Sequence, residues 1–179
     1  GRELVGCTQF EVDAPAGTVM DFNCFEAYVS GTPPWTQDTR SSFRYVCREG
    51  RQQFTTSWRR GYRYAAVTLR NFDRPVHIRH VRTLLSTYPF EERGEFRCSD
   101  PMLERIWKVG RHTLRCCSED TFTDCPTYEQ TYWVGDGRNE AIISHAAYGA
   151  YDLTARCARL PAQSLYRSDL PESQVPSGW

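Results

Sequence analysis

Between Thr121 and Asp136 the chain reads Thr-Phe-Thr-Asp-Cys-Pro-Thr-Tyr-Glu-Gln-Thr-Tyr-Trp-Val-Gly-Asp, gathering the carboxylates Asp124, Glu129 and Asp136 with Tyr128, Tyr132 and Trp133. Neighbouring carboxylates raise one another's pKa by like-charge repulsion, and a carboxylic acid that keeps its proton can protonate the leaving oxygen of a glycoside. Aromatic rings offer flat faces to the apolar patches of a sugar, while aspartates accept hydrogen bonds from its hydroxyls. Trp133 and Asp136 suit those two tasks. Plain structural readings stand beside the chemical ones. Asp136, just before Gly137, reads equally as a helix N-cap, Asp124 as an Asx-turn residue ahead of Cys125-Pro126, and Trp133 as a core anchor between helices.

The elements that must hold this segment fall into two grammars. Up to about residue 87, six short runs rich in β-branched and aromatic residues (5–12, 18–25, 43–47, 53–58, 62–69 and 76–85) alternate with turn clusters such as Asp13-Ala14-Pro15-Ala16-Gly17 and Ser30-Gly31-Thr32-Pro33-Pro34. Alternation in Phe43-Arg44-Tyr45-Val46-Cys47 gives a strand one core face and one wet face, and strands at this spacing predict an antiparallel β-sandwich. Near Gly94 the pattern changes, which sets the expected domains at 1–92 and 93–179. Ser99 or Asp100 can cap a helix with Pro101 in its first turn, and Met102, Leu103, Ile106, Trp107 and Leu114 recur at helical spacing to about Cys117. A second helix is expected after Gly137, running toward Gly149, and a third from Tyr151 to Leu160, where Pro161 must kink or end it. Two or three helices cannot close a core of their own, and the chain stops in turn-like Pro176-Ser177-Gly178-Trp179. A helical domain truncated at its C-terminus is therefore expected, with the natural N-terminus also missing, since Gly-Arg-Glu-Leu-Val has neither an initiator Met nor a signal-peptide core.

Composition removes other classes. The 179 residues carry 22 Lys plus Arg against 22 Asp plus Glu, so no basic footprint for nucleic acid exists, and no apolar run is long enough for a membrane span. The 8 cysteines include no Cys-x-x-Cys pair and no zinc-finger spacing, so no metal site is expected and they read as thiols of a cytoplasmic protein. His112 and His145 sit in helical patterns as ordinary surface or core histidines, and His77 and His80 share an arginine-rich, solvated strand face with Arg79 and Arg82. Trp35, Arg40, Phe43, Arg44 and Tyr45 read either as a carbohydrate-binding face of the sandwich or as a packing surface against the helices.

Asp124-Cys125-Pro126, Glu129, Trp133 and Gly135-Asp136 together resemble the catalytic-loop signature of the bacterial α-L-rhamnosidases of glycoside hydrolase family 78. Gly94-Glu95-Phe96-Arg97-Cys98-Ser99-Asp100 is similar to that family's passage into its helical domain, Gly61-Tyr62-Arg63-Tyr64 to part of the preceding sandwich, and Glu172-Ser173-Gln174-Val175-Pro176 to the approach to a further substrate loop. The resemblance implies a multidomain protein, a β-sandwich followed by the first helices of an (α/α)6 barrel, acting as an inverting hydrolase of terminal α-L-rhamnosides. By position, Glu129 corresponds to the general acid, Asp124 and Asp136 to carboxylates that bind sugar hydroxyls, and Trp133 to an aromatic wall. Two departures are present. Tyr128 occupies a position where the family commonly has arginine, and is grouped with the sugar contacts, while Tyr132-Trp133 replaces a Gly-Trp pair.

The implied partners are a carbohydrate substrate and the remainder of the chain's own barrel, where the family's base, a glutamate, lies; the piece alone is expected to be inactive. No cofactor is expected, and calcium assistance to sugar binding stays open. A competing reading from another class is a non-catalytic carbohydrate-binding module built on the sandwich, and a third is an interaction domain with no sugar ligand. A binding module has no need of an acid flanked by two further carboxylates.

Overall fold

The computed structural model describes residues 2–28, 30–31, 41–167 and 169–176. Of the sequence features above, Trp35, Arg40, Thr32-Pro33-Pro34 and Ser177-Gly178-Trp179 lie outside the described residues. The chain forms two compact units, Gly1–Ser86 and Thr87–Trp179.

The first unit holds β1 (Leu4–Ala14), β2 (Val19–Phe25), β3 (Phe43–Val46), β4 (Gly50–Thr55), β5 (Arg60–Tyr62), β6 (Tyr64–Arg70) and β7 (His77–Leu85) in two antiparallel sheets. β1 is central to one of them: β7 runs along one edge, and β4 and β5 follow one another along the opposite edge, so Gln9 pairs with both Thr55 and Arg82. In the second sheet β2 lies between β3 and β6. Inward residues of both sheets share one core. Phe10 of β1 stacks on Phe22 of β2 with ring centroids 4.8 Å apart, Phe22 stacks on Phe43 at 4.6 Å, and Tyr45 meets Phe10 edge-on at 5.0 Å. These contacts turn Phe43 and Tyr45 into the core and leave Arg44 outside, paired with Asp21. Neither ring is free to form the carbohydrate-binding face considered for the sandwich.

Two strand boundaries differ from the sequence reading. The run expected at 62–69 is interrupted at Arg63: Arg60–Tyr62 pairs with β1 and Tyr64–Arg70 with β2, so the chain changes sheet there. Tyr62 is held at the change by its hydroxyl, 3.0 Å from Thr8 Oγ1 and 2.6 Å from Thr83 Oγ1. The fourth strand starts at Gly50, whose φ of +81° completes the turn after Glu49. It ends before Thr56, which leaves the ladder to donate its N–H to Thr8 O while its hydroxyl accepts from Thr8 N–H.

The second unit contains α1 (Pro101–Cys116), β8 (Tyr132–Trp133), α2 (Val134–Ala147), α3 (Tyr151–Ser164) and β9 (Gln174–Val175). Asp100 is the N-cap of α1 and accepts from Met102 N–H at 2.8 Å, with Pro101 in the first turn where its missing N–H costs nothing. Residues 87–94 pack with this unit: Tyr88 N–H donates to Ser118 O, Phe90 stacks on Tyr148 with centroids 4.2 Å apart, and Gly94 N–H donates to Ala147 O. The division of the chain thus falls at Ser86, a few residues before the change of pattern near Gly94. The core joins Leu114, Phe122, Tyr148, Leu153, Cys157 and Val175.

Two helix boundaries also need correction. α2 begins at Val134, ahead of Gly135 and Gly137, because β8 feeds it directly and the Tyr132 ring covers Gly137 so closely that a Cβ there would meet the ring at 2.2 Å. α3 continues through Pro161 for one more turn, closed by Ser164 Oγ donating to Pro161 O at 2.6 Å and Leu165 N–H to Ala162 O at 3.3 Å.

Gly94 lies so near the end of α2 that a Cβ would sit 2.0 Å from Ala146 O, whereas a Cβ on Gly110 in α1 meets nothing within 4 Å. Gly94→Ala should therefore lower stability by about 1–3 kcal/mol through overpacking, and Gly110→Ala should raise it by up to ~1 kcal/mol through helix propensity. Urea denaturation of the two variants checks the opposite signs.

Candidate active site

The carboxylate-bearing segment is a loop pinned at both ends. Asp124 N–H donates to Thr131 O and Asp124 Oδ1 accepts from Thr131 N–H, both at 3.0 Å, so residues 124–131 close on themselves. Inside the loop, Gln130 takes a left-handed φ of +52° and its side-chain amide donates to Pro126 O at 2.8 Å, while Glu129 N–H reaches Cys125 Sγ at 3.3 Å. Beyond it, Tyr132 and Trp133 pair antiparallel with Val175 and Gln174, and Val134 N–H donates to Ser173 O at 2.8 Å. This short ladder aims the chain into α2.

Glu129 stands exposed on the loop, and its Oε2 accepts the indole N–H of Trp133 at 2.6 Å. The acidic candidate and the aromatic candidate are thus one hydrogen-bonded pair. Tyr128, beside Glu129 in the chain, is 54% exposed, which leaves its ring face accessible. Asp136 lies exposed in the first turn of α2, where the positive end of the helix dipole favours a carboxylate.

The structural alternatives are resolved by these contacts. Trp133, not Asp136, is the N-cap residue of α2, and it makes no side-chain cap bond. Asp124 spans the loop to Thr131 instead of forming a local Asx-turn, and Trp133 is half-buried with its indole turned to Glu129 instead of anchoring a core. His145 is bonded to Thr154 Oγ1 at 2.9 Å and His112 lies 3.6 Å from Cys116 Sγ, well apart from these carboxylates in the bonding pattern. Among the described residues no three His, Cys, Asp or Glu side chains lie together in an arrangement that could hold a metal ion.

One acidic residue escaped the sequence reading. Glu140, one turn after Asp136 on α2, has its pKa pushed up to about 8, first by burial and then by repulsion from Asp136 and Asp124. Its Oε2 is shut from solvent with no hydrogen-bond partner among the described residues. The i, i+4 spacing from Asp136 was the available signal, because it places both carboxylates on one helix face.

Residues 91–179 match the family model described as the bacterial alpha-L-rhamnosidase six-hairpin glycosidase domain, which gives the class, a six-hairpin glycosidase. The whole chain aligns with the crystal structure of a family GH78 rhamnosidase from Bacillus sp. GL1, with a TM-score of 0.93 and 44% identity over 99% of this chain and 19% of that one. The chain belongs to the bacterial α-L-rhamnosidase family. A curated alpha-L-rhamnosidase from Formosa agariphila is 22% identical over 166 residues, 86% of this chain and 17% of that protein. A rhamnosidase from Klebsiella oxytoca with rhamnose bound shares the fold, with a TM-score of 0.78 and 20% identity over 90% of this chain and 34% of that one. The chain thus spans about a fifth of the length of the Bacillus and Formosa relatives.

Glu140 also makes stability depend on pH. Between the ordinary value of 4.5 and about 8 the folded protein holds a proton that the unfolded chain has released, so stability is full below that window and falls as pH rises through it. Thermal melting should drop from pH 5 to pH 8, and Glu140→Gln, which cannot ionise, should make that drop shallower, the remainder coming from Glu3, whose pKa burial pushes up to about 7.

Proposed function

We propose that the chain carries the acid side of the sugar site of an α-L-rhamnosidase-like inverting glycoside hydrolase that removes terminal α-L-rhamnose from glycosides or polysaccharides. The observation that carries this reading is the closed 124–131 loop that presents Glu129 on the Trp133 indole, within the segment that matches the family model. Glu129 is the general acid, donating its proton to the glycosidic oxygen as the bond to the sugar breaks. Trp133 holds one carboxyl oxygen, so the other faces the leaving group. Asp124 and Asp136 accept from sugar hydroxyls, and Trp133 and Tyr128 supply aromatic walls. With Tyr128 in place of a guanidinium, sugar contacts on that side are made by a ring and a phenol, which favours a less anionic group near the site than an arginine would.

In this reading the first unit belongs to a β-sandwich and the second, which starts at Thr87 and not at the 93 expected from the pattern, to the first helices of an (α/α)6 barrel. The base that activates water on the opposite face of the sugar belongs to the part of the relatives that this chain does not span, and residues 1–179 alone turn over no rhamnoside. Met102, Leu103, Ile106 and Val109 on α1 and Ile142 and Ile143 on α2 are exposed apolar side chains, which supports further helices packing on these faces. No cofactor enters the chemistry. The eight free cysteines, five of them buried, support a reducing, cytoplasmic setting.

In the full-length protein, Glu129→Gln keeps the shape of the side chain and removes the transferable proton. Turnover of a rhamnoside with a poor leaving group should fall by roughly 10²–10⁴-fold, and that of an activated aryl rhamnoside by much less. Proton NMR of the first-formed sugar should show the anomer opposite to the substrate's. Equal losses on both substrates, or a retained anomer, would remove Glu129 from the acid role or the inverting assignment respectively.

A further inference from the structure

The loop that carries Glu129 turns on the residue after it. Gln130 has a left-handed φ of +52°, and with Asn71 it is one of the two non-glycine residues of positive φ among the described residues. Asparagine takes that conformation readily, because its short side chain bonds to nearby backbone. Glutamine is one methylene longer and lacks this local compensation, while its Cβ still crowds the backbone. Another contact must therefore hold Gln130 in place. Its half-buried side chain supplies one, the amide donating to Pro126 O at 2.8 Å across the inside of the loop. A second bond crosses the same way, from the Glu129 N–H to Cys125 Sγ at 3.3 Å. Glu129 is thus anchored by its own N–H on one side and by Gln130 on the other, and its carboxyl takes part in neither anchor, accepting from Trp133 Nε1 at 2.6 Å.

We infer that Gln130 is a positioning residue for Glu129: its left-handed backbone, held by the amide bond to Pro126 O, sets the direction in which the Glu129 carboxyl leaves the loop. The residue that follows shows why a turn is needed there. Thr131 gives its N–H to the Asp124 carboxylate and accepts the Asp124 N–H on its own C=O, so its backbone faces back across the loop, whereas the Glu129 carboxyl reaches forward to Trp133. A left-handed residue between the two supplies that reversal in a single step. The role rests on the reading of Glu129 as the general acid. An acid must come within hydrogen-bond reach of the glycosidic oxygen, and a misplacement of about 1 Å can cost ~10²-fold in rate. Gln130 acts through the carboxyl beside it and not on the sugar.

The test uses the full-length protein and two rhamnosides, one with a poor leaving group and one an activated aryl rhamnoside. Gln130→Ala keeps the crowding Cβ and removes the amide. It should lower kcat on the poor leaving group by roughly 10- to 100-fold, with the activated substrate and both KM values changed far less, because only the protonation step loses its geometry. Gln130→Asn tolerates the left-handed backbone and should recover most of that loss, and Gln130→Gly, which relieves the crowding without an amide, should fall between the two. In a Glu129→Gln background, Gln130→Ala should cost almost nothing more, since the group it places no longer has a proton to give. Equal losses on the two substrates for Gln130→Ala, an Asn variant as poor as the Ala variant, or an undiminished loss in the Glu129→Gln background overturns the inference and leaves Gln130 as a brace of the loop. If Glu129→Gln itself costs the two substrates equally, the acid reading fails, and this role with it.

Discussion

Asp124 and Thr131 exchange two hydrogen bonds, one backbone to backbone and one from Thr131 N–H to the Asp124 carboxylate, and the loop that carries Tyr128 and Glu129 is closed by them. The loop they bound contains a left-handed Gln130 and a proline, neither of which would select one conformation in an open segment. With the ends tied, Glu129 reaches the indole N–H of Trp133, and Trp133 itself is paired in the ladder with Gln174. Asp124 therefore has two jobs. It is a girder of the loop and, in the proposed function, a contact for the sugar, so its removal cannot be read as the loss of a ligand alone.

Legibility in the sequence followed the range of the interaction responsible. Local signals were reliable: the Asp100-Pro101 start of α1 needs only a side chain two residues from the N–H it caps, and the alternation of Phe43-Arg44-Tyr45-Val46 reports a core face directly. Signals from distant partners were not. Gly135 and Gly137 argue locally against a helix, yet the ring of Tyr132 and the pairing with β9 carry α2 through them. The break at Arg63 is invisible within the run Tyr62 to Leu69, because it is decided by which of two sheets each half can join. The same holds at the site. The residues with recognisable chemistry, Asp124, Glu129, Trp133 and Asp136, could be picked out by type and spacing, whereas for Glu140 the sequence offers only its i, i+4 spacing from Asp136, and its burial, set by residues distant in the chain, is not in any linear pattern.

Carboxylates of both units are paired with basic side chains, as with Glu92 between Arg111 and Arg115 and Asp120 on Arg156. On the sheets, carboxylates meet arginines: Asp21 is shared by Arg44 and Arg70, and Glu11 is approached by Arg51 and Arg79. Such exposed pairs contribute little each. Glu140 differs: it is half-buried, and burial, followed by the carboxylates of Asp136 and Asp124, pushes its pKa up.

The two-residue ladder between β8 and β9 joins stretches of chain separated by both α2 and α3. Closing so long a circuit costs chain entropy before the pairing returns anything, and the few bonds of the ladder cannot meet that cost until the helices between them have packed. The ladder that sets Trp133 is therefore tied to the packing of both helices. The placing of Glu129 and Trp133 thus depends on the packing of α3, a helix that contributes none of the candidate side chains.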